Sequence, residues 1–287
     1  MTDYSAEHAQ VAELLGGTLG DVITDCDGPH PHMRHLELPD RSHWVIKLRS
    51  SGKIDPGQEC MLELLQRYDH EIAPAALRDP RVDSIALVYQ YMGETTLDCV
   101  ASPADPEVVA RVCYLVRREN RLLREHSGWC TSHGLMALRW EGVKWMVQRI
   151  PRWGVPLVRH RVITFWTLVR IMRAILPYLR TVQLVDKNMI GKHIVVSPKG
   201  RWYPVDWTPV VRPELYPLGR FLAWGWLKRP DDSLDAYAQV AKRHKILGLF
   251  AFSLLGIGWD ILQENEKSQN SDRKLQELGQ ALRTWNL

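Results

Sequence analysis

Leu184-Val185-Asp186-Lys187-Asn188-Met189-Ile190-Gly191-Lys192-His193-Ile194-Val195-Val196, then Ser197-Pro198-Lys199-Gly200, then Trp202-Tyr203-Pro204-Val205-Asp206-Trp207, is the stretch that decides the fold. A polar loop leads into an apolar run, a turn, and a second run that ends in a carboxylate. Both runs are rich in β-branched and aromatic side chains. Pro at the second and Gly at the fourth turn position suit a type I turn, so the pattern predicts a β-hairpin over residues 193–206. A hairpin of that length holds the loop at a fixed separation from Asp206.

Upstream, residues 5–15 read as a short helix. Residues 21–49 alternate β-favouring runs with turn signals, ending in Trp44-Val45-Ile46-Lys47-Leu48, which predicts a small antiparallel sheet. A helix follows over residues 56–68, with apolar Met61, Leu62, Leu64 and Leu65, and then a strand pair ending near Tyr89-Gln90-Tyr91-Met92 and closed by Gly93. After Pro106 the pattern turns helical. Residues 108–124 have helical periodicity, and 162–182 read as one long apolar helix with Arg170, Arg173 and Arg180 on a shared face. Leu275, Leu278, Leu282 and Trp285 form an apolar stripe on the last helix. The fold class is therefore α+β: a β-rich lobe with one helix over 1–93, then a larger helical lobe over 94–287 with a β-hairpin inserted.

The composition of the 287-residue chain, 45% hydrophobic and 24% charged, is globular, and a net charge of +4 is too small to suggest nucleic acid as a partner. Five cysteines without CxxC or CxxH spacing argue against a disulfide framework or a zinc site and suit a reducing compartment. Residues 1–20 carry acids and a helical pattern, which argues against a signal peptide. The apolar run 246–262, broken by glycines and Asp260, is shorter than the ~20 residues of a spanning helix and reads as a buried helix or a pair of short helices, with a membrane-inserted segment as the alternative. The expected location is cytoplasmic. One surface stands out: residues 139–180 carry Lys and Arg against the single acid Glu141, together with Trp140, Trp145, Trp153 and Trp166. Its 139–161 part reads as a basic, tryptophan-bearing insertion, either solvated and packed on the lobe or lying peripherally on anionic lipid.

Lys47 at the end of a strand, a helix bearing Glu59 some dozen residues later, and the loop–hairpin–Asp206 stretch together resemble the protein-kinase-like superfamily. Within it they are similar to the bacterial lipopolysaccharide core (heptose and Kdo) kinases over roughly residues 20–250. The resemblance implies a two-lobed kinase-like fold with ATP and Mg²⁺ as cofactors. Lys47 would bind the α/β-phosphates and pair with Glu59, and the strand end Gln90 to Met92 would meet adenine. Asp206 and His193 would hold the metal. His193 stands where kinases place a metal-binding asparagine, a feature shared with the lipopolysaccharide kinases. Tyr216-Pro217-Leu218-Gly219-Arg220-Phe221-Leu222-Ala223 is similar to their Asp-Leu-Ala helix start, with Pro217 in place of the aspartate.

The departures matter as much. Asn188 occupies the position of the catalytic aspartate, and Asp186 stands two residues ahead of it as a substitute near the acceptor hydroxyl. No GxGxxG is present, and in the expected nucleotide lid, Asp27-Gly28-Pro29-His30-Pro31-His32, two prolines remove backbone donors that would face phosphate. Three functions remain open. One is an ATP-dependent kinase of a lipopolysaccharide core sugar, working on core or lipid A precursor at the inner membrane. Another is a pseudokinase acting on envelope biogenesis through a protein partner. The third is an aminoglycoside-phosphotransferase-like kinase, disfavoured because a cationic substrate suits an acidic cleft.

Overall fold

The computed structural model describes all residues except 1–2, 26–27, 55, 94, 136–137, 230, 264–268 and 286. Helix α1 (Ser5–Leu15) precedes strands β1 (Thr18–Asp25), β2 (Gly28–Glu37) and β3 (His43–Leu48), helix α2 (Pro56–Tyr68), strands β4 (Ala76–Leu77) and β5 (Ala86–Gln90), and a single turn α3 (Leu97–Val100). Helices α4 (Pro106–Glu125), α5 (Ser127–Ser132), α6 (Arg139–Arg159) and α7 (Phe165–Ile175) follow, then β6 (Val182–Asp186), β7 (Ile194–Val196), β8 (Trp202–Pro204) and β9 (Pro209–Pro213). The chain ends with α8 (Tyr216–Lys228), α9 (Leu234–Arg243), α10 (Leu247–Gln263) and α11 (Gln269–Thr284). Two compact units result: residues 1–100 with 132–135 and 192–209, and residues 101–131 with 136–191 and 210–287.

In the first unit the strands form an antiparallel sheet in the order β1-β2-β3-β5-β4. The two-residue period of β3 divides its side chains: Ile46 and Leu48 join Val11 and Ala12 of α1 in a buried core, while Val45 and Lys47 face the opposite side. The predicted hairpin is present as β7 and β8, paired Ile194 to Pro204, Val195 to Tyr203 and Val196 to Trp202. Gly200 donates its N–H to the Ser197 carbonyl at 2.8 Å and has a φ of +71°, so the type I turn closes on the left-handed residue that such three-residue loops need.

The second unit is built around α10. Its residues from Gly248 to Gly258 are buried all round, as a helix without a polar face must be. It packs against α6, α7, α8, α9 and α11. At the contact with α8, a Cβ on Gly219 would lie 2.9 Å from the Leu249 backbone, so only glycine permits this approach. Among the described residues no helix is long and apolar enough to cross a membrane.

The long helix expected over 162–182 is shorter. It stops at Ile175, a 3₁₀ turn covers Leu176–Thr181, and Val182 already begins β6, which pairs with β9. Pro177, which cannot donate within a helix, lies in that break. Arg170 is a structural residue, because its guanidinium donates to the carbonyls of Leu282, Arg283 and Trp285 and so caps the end of α11.

Candidate active site

Strand β3 delivers Lys47 to a cavity of about 550 Å³ within the first unit. The lysine is buried, and its ammonium donates to Asp206 Oδ1 at 2.5 Å and to Gln58 Oε1 at 3.1 Å. Asp206 follows β8 and has a φ of +59°, the left-handed region that non-glycine residues enter at a cost and that Asp tolerates best. Asp206 lines the same cavity as Lys47. Burial alone would raise the Asp206 carboxyl, but Lys47, His193 and Lys192 outweigh it and hold the group below its ordinary range.

The expected helix partner differs by one residue. Gln58, not Glu59, meets Lys47, while Glu59 pairs with Arg49. A step of one residue rotates a helix by about 100°, which puts Gln58 in phase with the buried Met61, Leu62 and Leu65. That phase was the available signal.

His193 Nε2 stands 3.6 Å from Asp206 Oδ2, so the two predicted metal-holding groups are neighbours. Mg²⁺ takes oxygen ligands and usually keeps waters and phosphate oxygens around one or two carboxylates. Asp206 fits that demand; the imidazole of His193 suits it poorly and acts on the carboxylate by charge. Among the described residues no group of three His, Cys, Asp or Glu is gathered, so a bound Mg²⁺ would depend on ligand oxygens as well.

The strand end Gln90 to Met92 lines the same cavity. The N–H of Gln90 is committed to the Ala75 carbonyl at 2.7 Å and that of Tyr91 to the His43 carbonyl at 2.9 Å. Of the predicted lid, Asp27 lies outside the described residues, as does Cys26. Pro29 and Pro31 are part of β2, and His30 and His32 line the cavity with their rings 5.8 Å apart. Burial, and then the charges of Lys47, His30 and Lys53, push the His32 imidazole down to about 4, so it is neutral near pH 7.

The loop residues belong to the second unit. Asp186 ends β6, is buried, and accepts the Asn188 N–H on Oδ1 at 3.0 Å; this closes an Asx turn. The Lys187 carbonyl accepts from Arg220 of α8 at 3.0 Å. Asp186 thus shapes the loop, and Asn188, half-buried, occupies its bend.

The fold has clear relatives. No family model and no curated protein sequence matches the chain. Among solved structures, the choline kinase LicA from Streptococcus pneumoniae aligns at 12% identity and a TM-score of 0.55, over 96% of this chain and 97% of that one. The macrolide 2'-phosphotransferase MphH from Brachybacterium faecium aligns at 13% and 0.58, over 96% and 98%. A choline/ethanolamine kinase family protein from Mesorhizobium loti aligns at 15% and 0.51, over 100% and 96%. At such identities the likeness is one of fold alone, and that fold is the kinase-like one.

Proposed function

We propose that the chain binds ATP with Mg²⁺ in the Lys47–Asp206 cavity and acts as a phosphotransferase on a sugar of the lipopolysaccharide core, at the cytoplasmic face of the inner membrane. The observation that carries the nucleotide part is the ion pair itself: a buried ammonium and a metal-competent carboxylate 2.5 Å apart at the wall of one cavity. Lys47 would neutralise the α/β-phosphates, Asp206 would hold Mg²⁺, and the segment Gln90 to Met92 would border the adenine. Mg²⁺ would supply charge neutralisation on the transferred phosphoryl group. The lipopolysaccharide acceptor is supported by the motif resemblance around His193 and residues 216–223, and by the basic face of α6, which opposes the cationic acceptors of choline and aminoglycoside kinases.

A second reading, a nucleotide-binding regulator that transfers no phosphate, is favoured by Asn188. Its amide cannot take a proton from a hydroxyl, and Oδ1 of Asp186 accepts the Asn188 N–H of the turn. The test is a thermal shift with ATP, with and without Mg²⁺, followed by mass analysis of core oligosaccharide incubated with the protein and MgATP. A Mg²⁺-dependent shift with a phosphate added to the sugar supports the kinase. The shift alone supports the regulator. No shift with any nucleotide overturns both.

A further inference from the structure

The second unit holds a cavity of about 280 Å³ that the nucleotide reading does not use. On α6, Trp145, Arg149 and Trp153 recur every four residues and so share one face, and that face is a wall of this cavity. Arg212 enters from the end of β9, Arg220 and Trp224 from α8, and Lys187 from the loop that carries Asn188. Asp260, at the exposed rim, is the single carboxylate among the described lining residues.

The cations are fixed by aromatic faces. The Arg212 guanidinium lies 3.5 Å over the Trp145 ring, Arg149 lies 5.6 Å from both Trp145 and Trp153, and Arg220 lies 5.9 Å over Trp224. Among the described residues, none of the three arginines forms an ion pair with a carboxylate. Burial first, and then the charges of Arg149 and Arg220, pull Arg212 down to about 10. Arg212 also donates from Nη1 to the Val211 carbonyl at 2.6 Å and Arg220 from Nη1 to the Lys187 carbonyl at 3.0 Å, and a guanidinium has five N–H donors, so each keeps donors for a ligand. Planar forks of this kind match phosphate oxygens, and indole faces suit the apolar face of a sugar ring.

We infer that this pocket binds a phosphate monoester carried on a sugar or similar polar ring, with Arg149, Arg212 and Arg220 on the phosphate and Trp145 and Trp153 against the ring. That the pocket serves the acceptor rests on the proposed phosphotransferase reading, and Lys187, next to Asn188, is what joins it to the loop. Binding itself does not need nucleotide.

The experiment is titration calorimetry of the full chain, without nucleotide or Mg²⁺, using glucose 1-phosphate, glucose and inorganic phosphate. Flotation with phosphatidylcholine vesicles, with or without phosphatidic acid, distinguishes a lipid headgroup from a soluble ester. Glucose 1-phosphate should bind and glucose should not. Arg149→Gln, with folding verified by circular dichroism, should weaken binding roughly ten- to a hundredfold, the range for losing hydrogen bonds to a charged group. Arg212→Lys keeps the charge but loses the fork, and should weaken it too. Binding only to phosphatidic acid vesicles, lost in the same variants, assigns the monoester to a lipid. Glucose binding as well as its phosphate, unchanged affinity in both variants, or no binding to any of these probes would overturn the inference. A failed nucleotide shift would leave these results standing.

Discussion

Lys47 and Asp206, 159 positions apart in sequence, form an ion pair of 2.5 Å in which the ammonium is almost wholly buried and the carboxylate is 36% exposed. That asymmetry predicts unequal costs. Asp206→Asn leaves a buried ammonium with only the Gln58 oxygen. Lys47→Met leaves a carboxylate that water, His193 and Lys192 still serve. Chemical denaturation should show Asp206→Asn to be the costlier, by about 2 kcal/mol against wild type. This lies below the ~3–5 kcal/mol for breaking a wholly buried pair, because of the exposure. The double variant should recover part of that loss. The folded carboxyl titrates below its ordinary 3.8, so its contribution is present above that pH and is lost as pH falls through the lower, folded value. Equal and negligible losses would contradict the pairing.

His32 predicts a coupling of nucleotide binding to protons. Its imidazole, held near 4 in the folded chain against an ordinary 6.5, faces the same cavity as Lys47. An incoming triphosphate adds negative charge and raises that value, so binding takes up a proton between about 4 and 6.5, and affinity increases as pH falls through that window. Calorimetry in buffers of different ionisation heat measures the uptake. His32→Gln in the same buffers should lack the part that His32 supplies. Identical proton uptake by variant and wild type would reject its role.

The tryptophans of the basic segment divide into two groups, and only one fits a membrane surface. Trp145 and Trp153 turn inward against Phe252, whereas Trp140 and Trp166 are each 71% exposed and Phe165 is 61% exposed. Exposed aromatic rings beside arginine suit the interface of an anionic bilayer. Sedimentation with anionic vesicles should therefore weaken in Trp140→Ser and Trp166→Ser, and in wild type as salt rises. Equal binding to neutral and anionic vesicles would remove the electrostatic part.

Legibility in the sequence followed the range of the forces involved. The 193–206 hairpin and the placement of Lys47 were readable because turn chemistry at Pro198 and Gly200 and the two-residue period of residues 44–48 are local. Strand β6 was hidden because Val182-Gln183-Leu184-Val185 directly follows an apolar helical pattern and is too short for periodicity to separate from it. The left-handed Asp206 left no mark in composition. The cluster of Arg149, Arg212 and Arg220 comes from three separate elements, and only tertiary packing brings it together.

Asn188 gives the sharpest separation between enzyme and regulator. Its backbone N–H, not its side chain, makes the turn with Asp186, so Asn188→Asp changes chemistry while leaving that hydrogen bond in place. Where slow phosphoryl transfer exists, restoring a carboxylate at this bend should raise the rate, by up to roughly 10²–10⁴-fold if full general-base help returns. Asp186→Asn should act differently. It weakens the acceptor of the turn and should lower stability by about 1–2 kcal/mol, less than the ~1.5–3 kcal/mol of a whole hydrogen bond to a charged group because the amide oxygen still accepts, with any loss of rate following the loss of fold. Rates with MgATP and core oligosaccharide, alongside denaturation midpoints for both variants, distinguish the two effects. A faster Asn188→Asp and a destabilised Asp186→Asn assign the catalytic position to 188 and the structural one to 186. Transfer abolished in a fully stable Asp186→Asn would instead make Asp186 the proton acceptor and sink the assignment to 188.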